Sequence, residues 1–67
     1  LEGDIIEIIL SLARRDVYNG VGRVLIGELE AYGFTRDQVT AAIKALKSKY
    51  KVMVVGDVIK IYFGGNM

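Results

Sequence analysis

The residue types that most often do chemistry are missing from this chain. It holds no Cys and no His. That removes thiolate nucleophiles, disulfides and Ser-His or Cys-His pairs, and leaves zinc only an implausible all-carboxylate site. Glu28 and Glu30 stand two apart on one short helical stretch and point to different faces, so they are no acid/base pair. The glycines of GVGRVLIG precede a strand pattern and lack a following Lys-Ser/Thr, so they read as a flexible loop, not a phosphate cradle. Tyr50 reads as core with its hydroxyl at the rim, and Tyr62 is the tyrosine placed for ligand contact. What remains is charge and apolar surface. The chain is expected to bind a partner, to catalyse nothing and to need no metal or other cofactor.

The charge is unevenly laid out. The sum over 67 residues is only +1. Residues 1–34 carry Glu2, Asp4, Glu7, Asp16, Glu28 and Glu30 against Arg14, Arg15 and Arg23, a net of −3. Residues 35–67 carry Arg36, Lys44, Lys47, Lys49, Lys51 and Lys60 against Asp37 and Asp57, a net of +4. An acidic half joined to a basic half points to a charged partner.

Elements that would position those charges can be read from periodicity and turn chemistry. A first helix is expected over about 4–16, capped by Asp4, with Ile5, Ile8, Ile9 and Leu12 as its core stripe. A second apolar stripe of Ile6, Leu10, Ala13 and Val17 lies about 90° round and is surplus to a small core. The YNGVG stretch reads as a loop and 22–25 as a short strand. A second helix at about 25–32 turns Leu25, Ile26, Leu29 and Tyr32 inward and ends at Gly33. Thr35 and Gln38 form a capping box behind a hydrophobic staple at Phe34, starting a third helix over about 36–50. Val39, Ala42, Ile43, Leu46 and Tyr50 make its buried side.

The chain then closes on a hairpin, 52–63, turning at Gly56-Asp57. That turn pairs Val55 with Val58, Val54 with Ile59, Met53 with Lys60 and Val52 with Ile61. Val52, Val54, Ile59 and Ile61 are then expected to face the core, with Lys51, Met53, Lys60 and Tyr62 outward. Residues 64–67 read as a tail. A start on Leu1 fits a domain of a longer protein, and 1–67 reads as one α+β domain. No apolar run approaches the ~20 residues of a membrane span, and the location expected is cytoplasmic, or nuclear or nucleoid-associated.

Over residues 22–63 the chain resembles winged helix-turn-helix domains, of the small archaeal or helicase-accessory type. The resemblance rests on the Leu29…Tyr32-Gly33-Phe34-Thr35 turn, the Val39…Ile43…Leu46 spacing and the final strand VIKIYF. It implies a three-helix core with a short strand and a two-stranded wing. Winged helices include transcription regulators, accessory domains of replication helicases and members that bind only protein. In the DNA-binding members the third helix enters the major groove. Carried onto this sequence, its outer face is Arg36, Asp37, Thr40, Ala41, Lys44, Lys47, Ser48 and Lys51, with Lys60 added by the wing. Thr40 or Arg36 would read a base edge and the lysines would meet phosphates, giving a salt slope of roughly −4 to −5 for duplex DNA.

Two departures keep a second reading open. The Gly56-Asp57 wing is minimal and acidic at its tip, unlike a long basic wing. The surplus Ile6, Leu10 and Val17, together with Met53 and Tyr62, would suit a protein interface. That interface is either a homodimer through the first helix or a contact with a larger assembly. Neither a membrane nor a small-molecule substrate is expected.

Overall fold

The first helix, α1 (Glu2–Arg15), follows from the expected apolar period. Ile5, Ile9 and Leu12 are buried, and so is Ala13 from the stripe read as surplus. The structure is a computed structural model that describes residues 2–64, with side chains from Ile5 on. Helix α1 begins two residues earlier than expected, so Asp4 lies within its first turn and is not its cap. The last three residues of the 64–67 tail lie outside what is described.

After α1 the chain makes a hairpin where a loop was expected. Strands β1 (Val17–Tyr18) and β2 (Val21–Leu25) pair antiparallel, Val17 with Gly22 and Tyr18 with Val21. Asn19 and Gly20 turn between them with φ of 55° and 78°. Two consecutive positive φ values define a type I′ turn, the one whose twist matches paired strands. The Asn-Gly signal was there to be read. A first strand of only two residues offered no alternation to go with it.

Helix α2 (Ile26–Ala31) starts directly from β2 and is shorter than expected at both ends. Leu29 is fully buried, but Leu25 (55% exposed) and Tyr32 (53%) face solvent, contrary to their expected inward placement. Leu25 is still in the strand, on the side away from the helices, and Tyr32 is already the C-cap. Gly33 then takes φ +102°. Its N–H donates to the Glu30 carbonyl (2.9 Å), and the Phe34 N–H donates to the Leu29 carbonyl (3.3 Å). This paired closure satisfies two orphan carbonyls and delivers Phe34 against the core.

Helix α3 (Arg36–Leu46) opens on the expected capping box. The Gln38 N–H donates to Thr35 Oγ1 (3.1 Å), and the Thr35 N–H donates to Gln38 Oε1 (2.8 Å). The helix stops at Leu46, earlier than the expected 50. Beyond it the Lys49 and Tyr50 N–H groups both bond the Leu46 carbonyl, at 3.0 and 2.8 Å. The Ser48 hydroxyl donates to the Ala45 carbonyl at 2.7 Å, taking an acceptor the next helical turn would use.

Strands β3 (Lys51–Val55) and β4 (Val58–Tyr62) form the closing hairpin in the expected register, extended by Lys51 opposite Tyr62. Gly56, the first central turn residue, has φ +60°, as a type II′ turn requires. Strand β4 also pairs with β2 along its whole length, from Val21–Tyr62 to Leu25–Val58. The result is a four-stranded antiparallel sheet in the order β1-β2-β4-β3. Two bonds extend the central ladder at its ends, Ile26 N–H to the Asp57 carbonyl and Phe63 N–H to the Gly20 carbonyl, both 2.8 Å.

Three helices cover one face of this sheet, an α+β arrangement of two layers. Val24, Ile59 and Ile61 meet Ile5, Ile9, Leu29, Val39, Ala42 and Leu46 in one core. The radius of gyration is 11.0 Å, against about 11 Å for a compact chain of this length. Val54 departs from expectation at 41% exposure, and Val52 is only half-buried. Both lie on β3, the edge strand, where the helical layer no longer covers the inner face fully.

Gly22 is the tightest point between the layers. A Cβ there would lie 2.6 Å from the Ala13 carbonyl oxygen, 2.8 Å from Ala13 Cβ and 2.8 Å from Phe63 Cε2. Gly22, read both as part of a flexible glycine loop and as the first residue of the 22–25 strand, is a strand residue that lets α1 rest directly on β2. Phe63 closes the same corner. Tyr50 meets it edge-on with ring centroids 5.6 Å apart, and the Arg14 guanidinium sits 5.7 Å over its ring.

Candidate nucleic-acid interface

The α3 surface is built from local chemistry. The turn from Gly33 to Thr35 sets the angle at which the chain enters the helix, and the capping box fixes its first residue. Val39, Ala42 and Leu46 hold the inner side. At 100° per residue, Arg36, Thr40, Lys44 and Lys47 then fall within about 80° of one another on the opposite side. All four are exposed, as are Ala41 and Ser48 at the margin of the stripe. Lys44 lies in the last turn, where the helix dipole favours a cation. The face has one acid, Asp37, in the first turn.

Arg36 is tied sideways to α2. Its Nη2 stands 3.5 Å from Glu30 Oε2, with both side chains largely in solvent. Such a pair is worth less than about 1 kcal/mol, so a phosphate could take the guanidinium over at small cost.

Lys51 and Lys60 do not share this surface. The strand register places both on the outer face of the sheet, away from the helices. The Gly56-Asp57 turn, expected as the tip of a minimal acidic wing, is held against the start of α2 by the Ile26–Asp57 bond. The cations grouped by the sequence reading therefore divide between a helical surface and a sheet surface.

The residues expected at a protein interface divide as well. Ile6 and Leu10 are half-buried, packed against the rim of the core. They line a shallow groove with Ala45, Leu46 and Tyr50, between α1 and the end of α3. The second stripe is thus not all surplus, since Ala13 enters the core and Ile6 and Leu10 are partly covered. Val17 is exposed on β1, while Met53 and Tyr62 lie on the outer sheet face.

That outer face also holds residues the sequence reading passed over. Cross-strand pairing sets Tyr18, Val21, Tyr62 and Lys51 in one row, and Arg23, Lys60 and Met53 in the next. Leu25, Val58 and Val55 make a third row. Alternation in VGRVL could have found Arg23. Tyr18 needed the β1–β2 hairpin to be recognised first.

Among the described residues, no cluster of three or more His, Cys, Asp or Glu is placed to hold a metal ion. No described helix is long and apolar enough to cross a membrane. No protein family, curated protein or solved structure matches this chain.

Proposed function

We infer that the chain is a winged-helix module that binds duplex DNA without catalysis, presenting α3 to the major groove in a transcription or replication setting. One observation carries this reading. The side of α3 opposite the core is fully exposed and cationic, and it is held by a Gly33 turn and a Thr35–Gln38 capping box. Lys44, Lys47 and Arg36 would meet phosphates, while Thr40 and Ala41 are small enough for the helix to lie close to base edges. With the turn at Gly56-Asp57 tied down, recognition rests on the helix, not on a wing.

The test is fluorescence anisotropy with a labelled duplex across a salt series. Three or four phosphate contacts should give a slope of roughly −3 to −4. Lys44→Glu combined with Lys47→Glu should weaken binding by about 30-fold or more at low salt, measured well below the melting temperature, which reversing charge at the helix C-terminus should lower by a few degrees. Equal affinity of wild type and variant would sink the reading.

A second reading is supported by the groove at Ile6 and Leu10, which leaves apolar surface half-open between α1 and α3. It would seat a protein partner or a second copy. Sedimentation of wild type and Leu10→Glu would separate it from the first.

A further inference from the structure

The outer face of the sheet carries a different combination from α3. Its outward positions hold the cations Arg23, Lys51 and Lys60 and the rings of Tyr18 and Tyr62, with apolar residues at the rest and no carboxylate. Asp16, two residues before Tyr18, and Glu28 line a cleft bordered by Arg23, Leu25 and Val58, and Asp57 sits in the turn next to Val58. Among the described residues none of these acids forms an ion pair with Arg23, Lys51 or Lys60. Tyr18 is 67% exposed although it is fixed in a strand.

The layout is ordered. Tyr18 and Tyr62 lie in one row on either side of Val21. Their Cα atoms are two strand spacings apart, about 10 Å. Arg23 and Lys60 are directly paired in the adjacent row, about 7 Å further along the strands. Lys51 ends the ring row, its Nζ 5.5 Å from the centroid of Tyr62. Two rings in a line, with a parallel line of cations beside them, match a polymer whose flat groups and negative charges run side by side.

We propose that this face binds single-stranded nucleic acid, with bases stacking on Tyr18 and Tyr62 and the phosphate backbone following Arg23, Lys60 and Lys51. Stacking platforms flanked by cations bind single strands with little sequence preference, because every base offers a π face. Duplex DNA does not fit, since its bases are already stacked within the helix. The site is separate from the α3 surface and does not depend on what α3 binds.

The experiment is fluorescence anisotropy of the 67-residue chain with labelled oligo(dT) and oligo(U) twelve-mers at two salt concentrations. Saturable binding of at least one is expected, with a salt slope of about −2 for three phosphate contacts on a single strand. Tyr18→Ala should weaken binding about fivefold or more, and Tyr18→Phe should bind as wild type does, because stacking needs the ring and not the hydroxyl. Tyr62→Phe should likewise be silent and Tyr62→Ala weak, with circular dichroism melts recorded for each. Lys44→Glu with Lys47→Glu should leave oligonucleotide binding unchanged, which separates this proposal from the duplex reading. It is overturned if neither oligonucleotide binds, if Tyr18→Ala binds as wild type does, or if binding is lost through the α3 variant instead. A dimer in sedimentation that Tyr18→Ala dissolves would assign the face to a second copy and overturn it too.

Discussion

The outer side of α3 and the outer face of the sheet are both cationic and both exposed, but they are made in different ways. The α3 stripe comes from one stretch of twelve residues, Arg36 to Lys47, whose spacing alone brings them together. The sheet face is assembled from residues as far apart as Tyr18 and Tyr62, joined only by the ladders of β1 with β2, of β2 with β4 and of β4 with β3. The first needs a well-started helix. The second needs every strand in register, and Gly22 beneath α1.

That contrast can be broken at its foundation. Gly22→Ala places a methyl 2.6 Å from a backbone oxygen that has no flexible side chain to yield. Forcing α1 off β2 should cost about 2–3 kcal/mol, in line with overpacking of a tight interior. Such a loss lowers the melting temperature of a domain this size by about 10–20 °C. Both surfaces should lose binding together on warming, because both rest on this contact.

A smaller change should separate them. Thr35→Ala removes one side of the capping box and should cost about 1 kcal/mol. Only the start of α3 is loosened, so duplex binding should fall while oligonucleotide binding to the sheet face holds. Parallel losses at both surfaces in the anisotropy assay would show that they are coupled through the core. Smallest of all is Arg36→Gln, which breaks the exposed pair with Glu30. Stability measured by denaturant should move by no more than about 0.5 kcal/mol. Any larger loss of duplex affinity would then belong to binding, not to folding.

How much could be read in advance tracks the distance over which each feature is decided. The Thr35–Gln38 box, the Gly33 turn and the register across Gly56-Asp57 involve residues within a few positions of one another, and each formed as expected. The end of α3 was misjudged by one turn, because Ser48 competes locally for a carbonyl and no glycine marks the stop. Leu25 and Tyr32 were misplaced for a similar reason. Their apolar character suggested burial, but one had been claimed by a strand and the other by a helix cap.

By itself the sequence excluded thiol, imidazole and zinc-thiolate chemistry, divided the charge into an acidic and a basic half, and specified the capped helix and the final hairpin. Those are matters of which residue types are present and of short-range spacing. Tertiary structure alone decided that β2 lies beside β4, that Gly22 is a contact between the layers, and that Lys51 and Lys60 face away from α3. It also decided that Val54 stays half in solvent on the sheet edge while Ala13 is fully buried. The physical reason is the same in each case. Which side of a strand is covered depends on what packs across it, and that partner lies from nine residues away, as Ala13 from Gly22, to 41, as Tyr62 from Val21.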